Sequence, residues 1–363
     1  MRLHKYTVAS LASLASVAAS LLSVTGAPAQ AASAADAAAG PGAWRWAHRD
    51  VHTDQQFRGL DAVDRRHAWV GGSKGGVWTT SDGGRTWRDV SPAGAEGLQF
   101  RDVEATDRRT VSVLAIGEGR ASRIYRTQDA GRTWTRTFTN HDPRAFYDCM
   151  AFWPGGRRGL AVSDPVGGKF RILRTTDGGA SWSVDDRSGM PRAFDGEFAF
   201  AASGTCLVTT GWRDAYLASG GAAARVFHTV NRGRTWSVTD STIPASDAGG
   251  VFSLSFRNPE RGLAVGGDFE APEVGSDASA STIDRGRSWW NGGDLSGYRS
   301  GVDHVAGLRR TAVAVGPTGS DVTSDAGRTW QPFSTDDFDA VHCTEDGACW
   351  ASGPEGAVAK LVR

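Results

Sequence analysis

Neither sign of charge is in excess in this chain: 40 lysines and arginines face 40 aspartates and glutamates. A nucleic-acid-binding surface needs a basic surplus, and none exists, so no nucleic-acid partner is expected. Cysteine is scarce, with four among 363 residues. The four form no Cys-x-x-Cys pair and show no zinc spacing. No Gly-x-Gly-x-x-Gly stands between a strand and a helix. The cluster Gly71-Gly-Ser-Lys-Gly-Gly76 falls between two strands, with no helix amino end to hold a phosphate. No haem-attachment motif occurs. Dinucleotide, haem and zinc chemistry are therefore unsupported, and no cofactor or metal is expected. His48, His67, His228 and His342 are scattered and read as surface or strand residues.

The one long uncharged run lies at the amino end. Arg2 and Lys5 precede an Ala/Leu/Ser/Val stretch over 8–24 that five serines interrupt, and Ala29-Gln30-Ala31 follows. This is the layout of a secretory signal rather than a membrane span. Residues 1–31 are thus expected to be cleaved near Ala31, delivering a secreted or extracytoplasmic protein. Loss of two basic residues would take the formal net charge from 0 to −2. Residues 32–43 read as a flexible leader and 44–363 as a single domain, expected to be a monomer. Four cysteines suit an exported chain. Cys343 and Cys349 flank a turn-like sequence and are expected to bridge a hairpin, while pairing of Cys149 with Cys206 is left open.

What the chain has in abundance is one eight-residue phrase, repeated six times. The copies are Thr80-Ser-Asp82-Gly-Gly84-Arg-Thr86-Trp87, Thr127-Gln-Asp129-Ala-Gly131-Arg-Thr133-Trp134, Thr175-Thr-Asp177-Gly-Gly179-Ala-Ser181-Trp182, Thr229-Val-Asn231-Arg-Gly233-Arg-Thr235-Trp236, Thr282-Ile-Asp284-Arg-Gly286-Arg-Ser288-Trp289 and Thr323-Ser-Asp325-Ala-Gly327-Arg-Thr329-Trp330. Their tryptophans stand 47, 48, 54, 53 and 41 residues apart, a spacing typical of repeat architectures. Each copy joins two short apolar or Thr-rich runs, the pattern of strand, tight turn, strand. The Asp accepts hydrogen bonds from turn N–H groups, the Gly takes positive φ, and the Trp covers the hairpin. Asn231 replaces Asp in the fourth copy, and its carbonyl oxygen still accepts.

The phrase resembles the Asp-box, or bacterial neuraminidase repeat, of β-propellers. Two further strands can be read ahead of each copy, which makes four strands per repeat. Three strands after the last copy and one strand before the first would complete another blade and cover both exposed edges. The expectation is an all-β, seven-bladed propeller closed by its N- and C-terminal strands, with six blades as the alternative. The phrases Phe152-Trp-Pro-Gly-Gly-Arg-Arg-Gly-Leu-Ala-Val-Ser-Asp-Pro165 and Phe256-Arg-Asn-Pro-Glu-Arg-Gly-Leu-Ala-Val-Gly-Gly-Asp268 also resemble the photosystem II stability/assembly-factor-like group. Bacterial members of that group are commonly given oxidoreductase or glycosyl hydrolase names without a shared catalytic residue set.

In such a propeller the face opposite the repeated turns carries the longer loops, and recognition is expected there. Three loops are candidates: 209–225 with Trp212, Arg213, Asp214 and Tyr216; 265–279 with Asp268 and Glu270; and 185–197 with Arg187, Arg192 and Asp195. An aromatic beside Arg and Asp suits a carbohydrate, peptide or protein ligand. Acids at the starts of the innermost strands, Asp102, Asp148, Glu197 and Asp303, read as a channel lining with Arg101, Arg144 and Arg299. They would either bind a polar ligand or a cation, or form a solvated lining of ion pairs among themselves. Asp164 and Lys169 belong to the same face, as do Tyr298 and its neighbour Arg299.

Three functions follow as alternatives. The first is an exported binding or assembly module. The second is a sialidase-like glycosidase, which would need a Tyr nucleophile and an arginine triad. The nearest match to a sialidase Phe/Tyr-Arg-Ile/Leu-Pro motif, Phe170-Arg-Ile-Leu173, lacks the Pro and leads into the third turn rather than preceding the first. The third is an oxidoreductase, by family label only. The binding module is preferred, with no catalytic residue assigned.

Overall fold

The computed structural model describes residues 43–186 and 188–363; the expected signal segment and nearly all of the leader lie outside them. The described residues belong to one compact unit. They form seven four-stranded antiparallel blades. Blade 1 consists of Phe57–Ala62, Ala68–Gly72, Val77–Thr80 and Arg88–Asp89, and blade 2 of Gln99–Ala105, Val111–Ile116, Arg123–Thr127 and Thr135–Thr139. Blade 3 holds Tyr147–Phe152, Gly159–Pro165, Phe170–Thr175 and Ser183–Val184, and blade 4 holds Leu207–Thr210, Asp214–Ala218, Arg225–Thr229 and Ser237–Asp240. Blade 5 runs Gly249–Asn258, Arg261–Asp268, Ser279–Thr282 and Trp290–Asn291, and blade 6 runs Gly301–His304, Ala312–Gly316, Gly319–Thr323 and Gln331–Ser334.

The seventh blade settles the count. Ala340–Cys343, Cys349–Ser352 and Val358–Val362 are completed by Arg45–His48, whose Arg45 pairs with Val362 and His48 with Ala359. The first strand of each blade touches the first strand of the next, and the seventh returns to the first, so the ring is closed and no blade edge faces an empty seam. Each seam between blades has its own apolar core. Between blades 3 and 4 it includes Leu160, Phe170, Leu217 and Phe227; between blades 7 and 1 it includes Phe57, Val70, Trp350 and Val358.

The repeated turns explain why these hairpins form. The Thr80 hydroxyl accepts from the Gly84 N–H at 3.0 Å and donates to Asp82. Asp82 in turn accepts from the N–H groups of Arg85 and Thr86, both at 3.0 Å, and from the Thr86 hydroxyl at 2.7 Å. The arrangement recurs at Asp129, Asp177, Asp284 and Asp325. At Asn231 the side-chain oxygen still accepts from Thr235 N–H at 2.9 Å, and its amide donates to the Thr235 hydroxyl. Two consecutive residues of each turn have positive φ, for example Gly83 and Gly84 at 84° and 83°.

Some of the tryptophans reach further than the hairpin they end, whereas Trp236 donates to the Gly233 carbonyl of its own turn. Trp134 donates its ring N–H to the Val90 carbonyl of blade 1, and Trp87 donates to the Arg49 carbonyl beside blade 7. They therefore fasten neighbouring blades. Both disulfides form: Cys343–Cys349 spans a hairpin with Cα atoms 4.0 Å apart, and Cys149–Cys206 links blades 3 and 4 across 6.1 Å. Among the described residues no helix is long and apolar enough to cross a membrane.

Two outcomes follow for stability. Trp134→Ala removes a partly buried ring and its bond to blade 1, and should cost about 3 kcal/mol in denaturant unfolding. The turn carboxylates of Asp82 and Asp129 are held down at about 2, chiefly by the N–H groups and hydroxyls of Thr86 and Thr133. Folded values below the unfolded one mean that their contribution is complete above about pH 4 and disappears as pH falls towards 2. NMR shifts of the Thr86 and Thr133 amides should titrate in that window, while Thr235, bonded to Asn231, should not.

Candidate functional site

The acids of the central channel are engaged in joining blades. Asp61 accepts from Ala105 N–H and Asp102 from Met150 N–H, each at 2.5 Å; Glu104 accepts from Phe152 N–H at 3.1 Å. Asp303 accepts from Cys343 N–H at 2.7 Å and from the Ser255 hydroxyl. Each of these bonds runs from the innermost strand of one blade to that of the next. Burial lifts Asp102 and Glu104 well above ordinary carboxylates. Burial alone would lower His342, but the Asp61 carboxylate at 2.6 Å outweighs it and holds the imidazole up at about 9. Of the two readings of the lining, the internal pairing accounts for these groups. Among the described residues no cluster of His, Cys, Asp and Glu is arranged to hold a metal.

Several expected site residues are likewise occupied internally. Glu197 does not open the fourth innermost strand. It begins a two-residue strand, Glu197–Phe198, that pairs with Gly220–Gly221 and extends the sheet of blade 5. Its buried carboxylate accepts from Arg225 Nε at 3.0 Å and from the Ser219 hydroxyl at 2.6 Å. Arg299 is fully buried, donating to Asp321 at 2.6 Å and to the Tyr298 carbonyl at 2.8 Å. Tyr298 packs edge-on against Phe252, and burial pushes its hydroxyl pKa up. Arg144 is exposed and pairs with Asp142 at 2.9 Å. Asp148 accepts from Asp164 N–H at 3.1 Å, Asp164 accepts from Ala199 N–H, and Lys169 donates to the Ser188 carbonyl. Asp268 accepts from the Ser246 hydroxyl and from the backbone N–H of exposed Glu270.

The segment 209–225 is not the long loop that was expected. Ala215, Tyr216, Leu217 and Ala218 are all buried, and this apolar run makes Asp214–Ala218 a core strand. Tyr216 lies between His228 and Phe256, and its hydroxyl donates to the Pro259 carbonyl. Asp214 is paired with His228 at 2.9 Å. Trp212 and Arg213 then fall in a tight turn on the same side as the repeated turns, where Arg232 N–H donates to the Arg213 carbonyl at 2.9 Å.

That relocation puts Arg213 into a cleft of about 340 Å³ between blades 3 and 4. Arg158 comes from the first turn of blade 3, Arg213 from the first turn of blade 4, and Asn231, Arg232 and Arg234 from the fourth repeated turn; Trp153, Arg174, Thr175, Thr176 and Asp185 complete the lining. Arg174 pairs with Asp185, the one acid present. Arg158, Arg213, Arg232 and Arg234 have no carboxylate partner among the described residues. Burial first, and the guanidiniums of Arg158, Arg213 and Arg234 next, pull Arg232 below the ordinary arginine value. The backbone holds the group in place: Arg232 Nε donates to the Trp212 carbonyl at 2.9 Å, Arg174 donates to the Arg232 carbonyl, and Trp153 Nε1 ties the floor to the Asp214 carbonyl. Trp212 is 69% exposed at the rim.

Arg158, Arg232 and Arg234 escaped the sequence reading. Part of the signal was present: the fourth copy is the one that loses its Asp, while the left-handed position of Arg232, φ 60°, is filled by Arg in the fifth copy too, Arg285 at φ 67°.

No family model and no curated protein matches this chain. Solved structures share its fold. A structure of YCF48 bound to D1 peptide superposes with a TM-score of 0.61 at 15% identity, covering 88% of this chain and 95% of that one. A GH74 xyloglucanase from Xanthomonas campestris gives 0.58 at 14% identity, with 87% of this chain covering 53% of the enzyme. The WD40 propeller domain of Doa1 gives 0.56 at 11% identity over 87% and 95%. These likenesses establish the seven-bladed β-propeller and no more.

The buried Glu197–Arg225 pair yields one expectation. Glu197→Ala leaves an unpaired guanidinium inside and should cost about 3–5 kcal/mol in equilibrium unfolding, far more than an exposed pair such as Arg144–Asp142.

Proposed function

We propose that the protein is an extracytoplasmic binding module whose arginine cleft holds an acidic segment of a partner. The observation that carries this reading is four arginines lining one cleft without a carboxylate partner among the described residues, beside a repeated turn whose five sister copies carry an Asp where this one has Asn231. Arginine forks suit carboxylate and phosphate oxygens, and an incoming anion relieves the mutual repulsion of neighbouring guanidiniums. Propellers commonly present binding surfaces, and one fold neighbour is described with a peptide bound. The two disulfides fit an oxidising compartment. The long-loop face keeps one observation of its own, the exposed rings of Phe194 and Phe269, and is the second reading.

The test is binding of fluorescein-labelled hexaglutamate to the full chain at low salt. Arg213→Glu combined with Arg234→Glu should weaken it about tenfold or more and flatten its salt dependence, while Phe269→Ser leaves it unchanged. Binding that survives the arginine changes would remove the cleft from consideration.

A further inference from the structure

The cleft's donors come from three separate turns rather than from one planar fork. Arg158, Arg213 and the Arg232/Arg234 pair approach a common space from blade 3 and from two turns of blade 4. A carboxylate is flat and is satisfied by one bidentate guanidinium, so a single carboxylate would leave the other three charges opposed to each other. A phosphoryl group offers three or more oxygens in different directions and nearly two negative charges at neutral pH.

Asn231 sharpens the point. It lines the cleft, and five sister turns carry a carboxylate at its position. An Asp there would set a fixed negative charge beside the incoming anion. The Asn keeps the turn's hydrogen bonds to Thr235 while removing that charge. Resting on the cleft reading above, we propose that the site is selective for a phosphoryl dianion, free or as a monoester on the partner, with Asn231 and Arg234 setting that selectivity.

The experiment is calorimetric titration of the full chain at low ionic strength with inorganic phosphate, a phosphoserine peptide, its unphosphorylated form, and hexaglutamate. Phosphate and phosphopeptide should bind, the unphosphorylated peptide should not, and hexaglutamate should bind more weakly. Asn231→Asp should lower phosphate affinity about tenfold with no loss of thermal stability, because the sister turns fold with Asp. Arg234→Ala, at an exposed side chain without a hydrogen-bonding partner among the described residues, should do the same. A phosphopeptide preferred over free phosphate assigns the ester; equal affinity assigns the ion. Phosphate binding indifferent to both substitutions would overturn the proposal. Hexaglutamate held in the cleft while neither phosphate binds would overturn it and leave the acidic-segment reading standing. No anion bound there at all would remove both.

Discussion

A threonine hydroxyl and a carboxylate, two residues apart, hold the end of hairpin after hairpin in this protein. The pair satisfies N–H groups that a tight turn would otherwise leave unbonded, and it fixes where the following tryptophan enters. From that placement the indole N–H of Trp134 or Trp87 meets a carbonyl of the blade before it. Local turn chemistry thus becomes seam chemistry. On the channel side the same task passes to Asp61, Asp102, Glu104 and Asp303, which take N–H groups from the next blade. At the seam of blades 1 and 2 polar groups clamp both margins, and the apolar cluster between them supplies most of the burial.

The candidate site is a variation on this scheme. The fourth turn exchanges its carboxylate for an amide, and like the fifth turn with Arg285 it places arginine where the backbone is left-handed. For a residue with a Cβ that conformation costs about 1 kcal/mol, so Arg232 sits where glycine would be easier. Removing one negative charge and adding one positive charge at a single turn, next to Arg158 and Arg213, is enough to produce a concentrated basic spot on a chain whose overall charge is balanced.

This balance explains what the sequence could and could not disclose. The blades were legible because each carries its own short-range signature: the turn, its tryptophan, and the paired strands at the two chain ends. The side on which Trp212 and Arg213 lie was not legible, because the run Asp214–Ala218 is too short to separate a strand from a loop without knowing that Tyr216 packs between His228 and Phe256. Glu197 and Arg299 were seen as acids and bases near a channel, yet their partners, Arg225 and Asp321, come from segments 28 and 22 residues further on. Arg158 shares a cleft with Arg234 only across the seam of two blades, a proximity that no single repeat encodes. Net charge summed over the chain conceals such clustering.

The closure of the wheel has a consequence for how the molecule comes into being. Arg45–His48 is the first of the described strands and its partner Val358–Val362 the last, so the outer edge of the seventh blade has nothing to pair with until all seven blades have been made. Until then both ends of the growing array present bare strand edges, a state prone to wrong pairing between chains. The completed circle is held by a join between distant parts of the polypeptide, and its opening would be felt at every spoke. Whatever tethers the amino-terminal strand therefore acts as a latch on the whole rotor, and the ring of Trp46, hydrogen-bonded to Ser320 of blade 6, is one such tether.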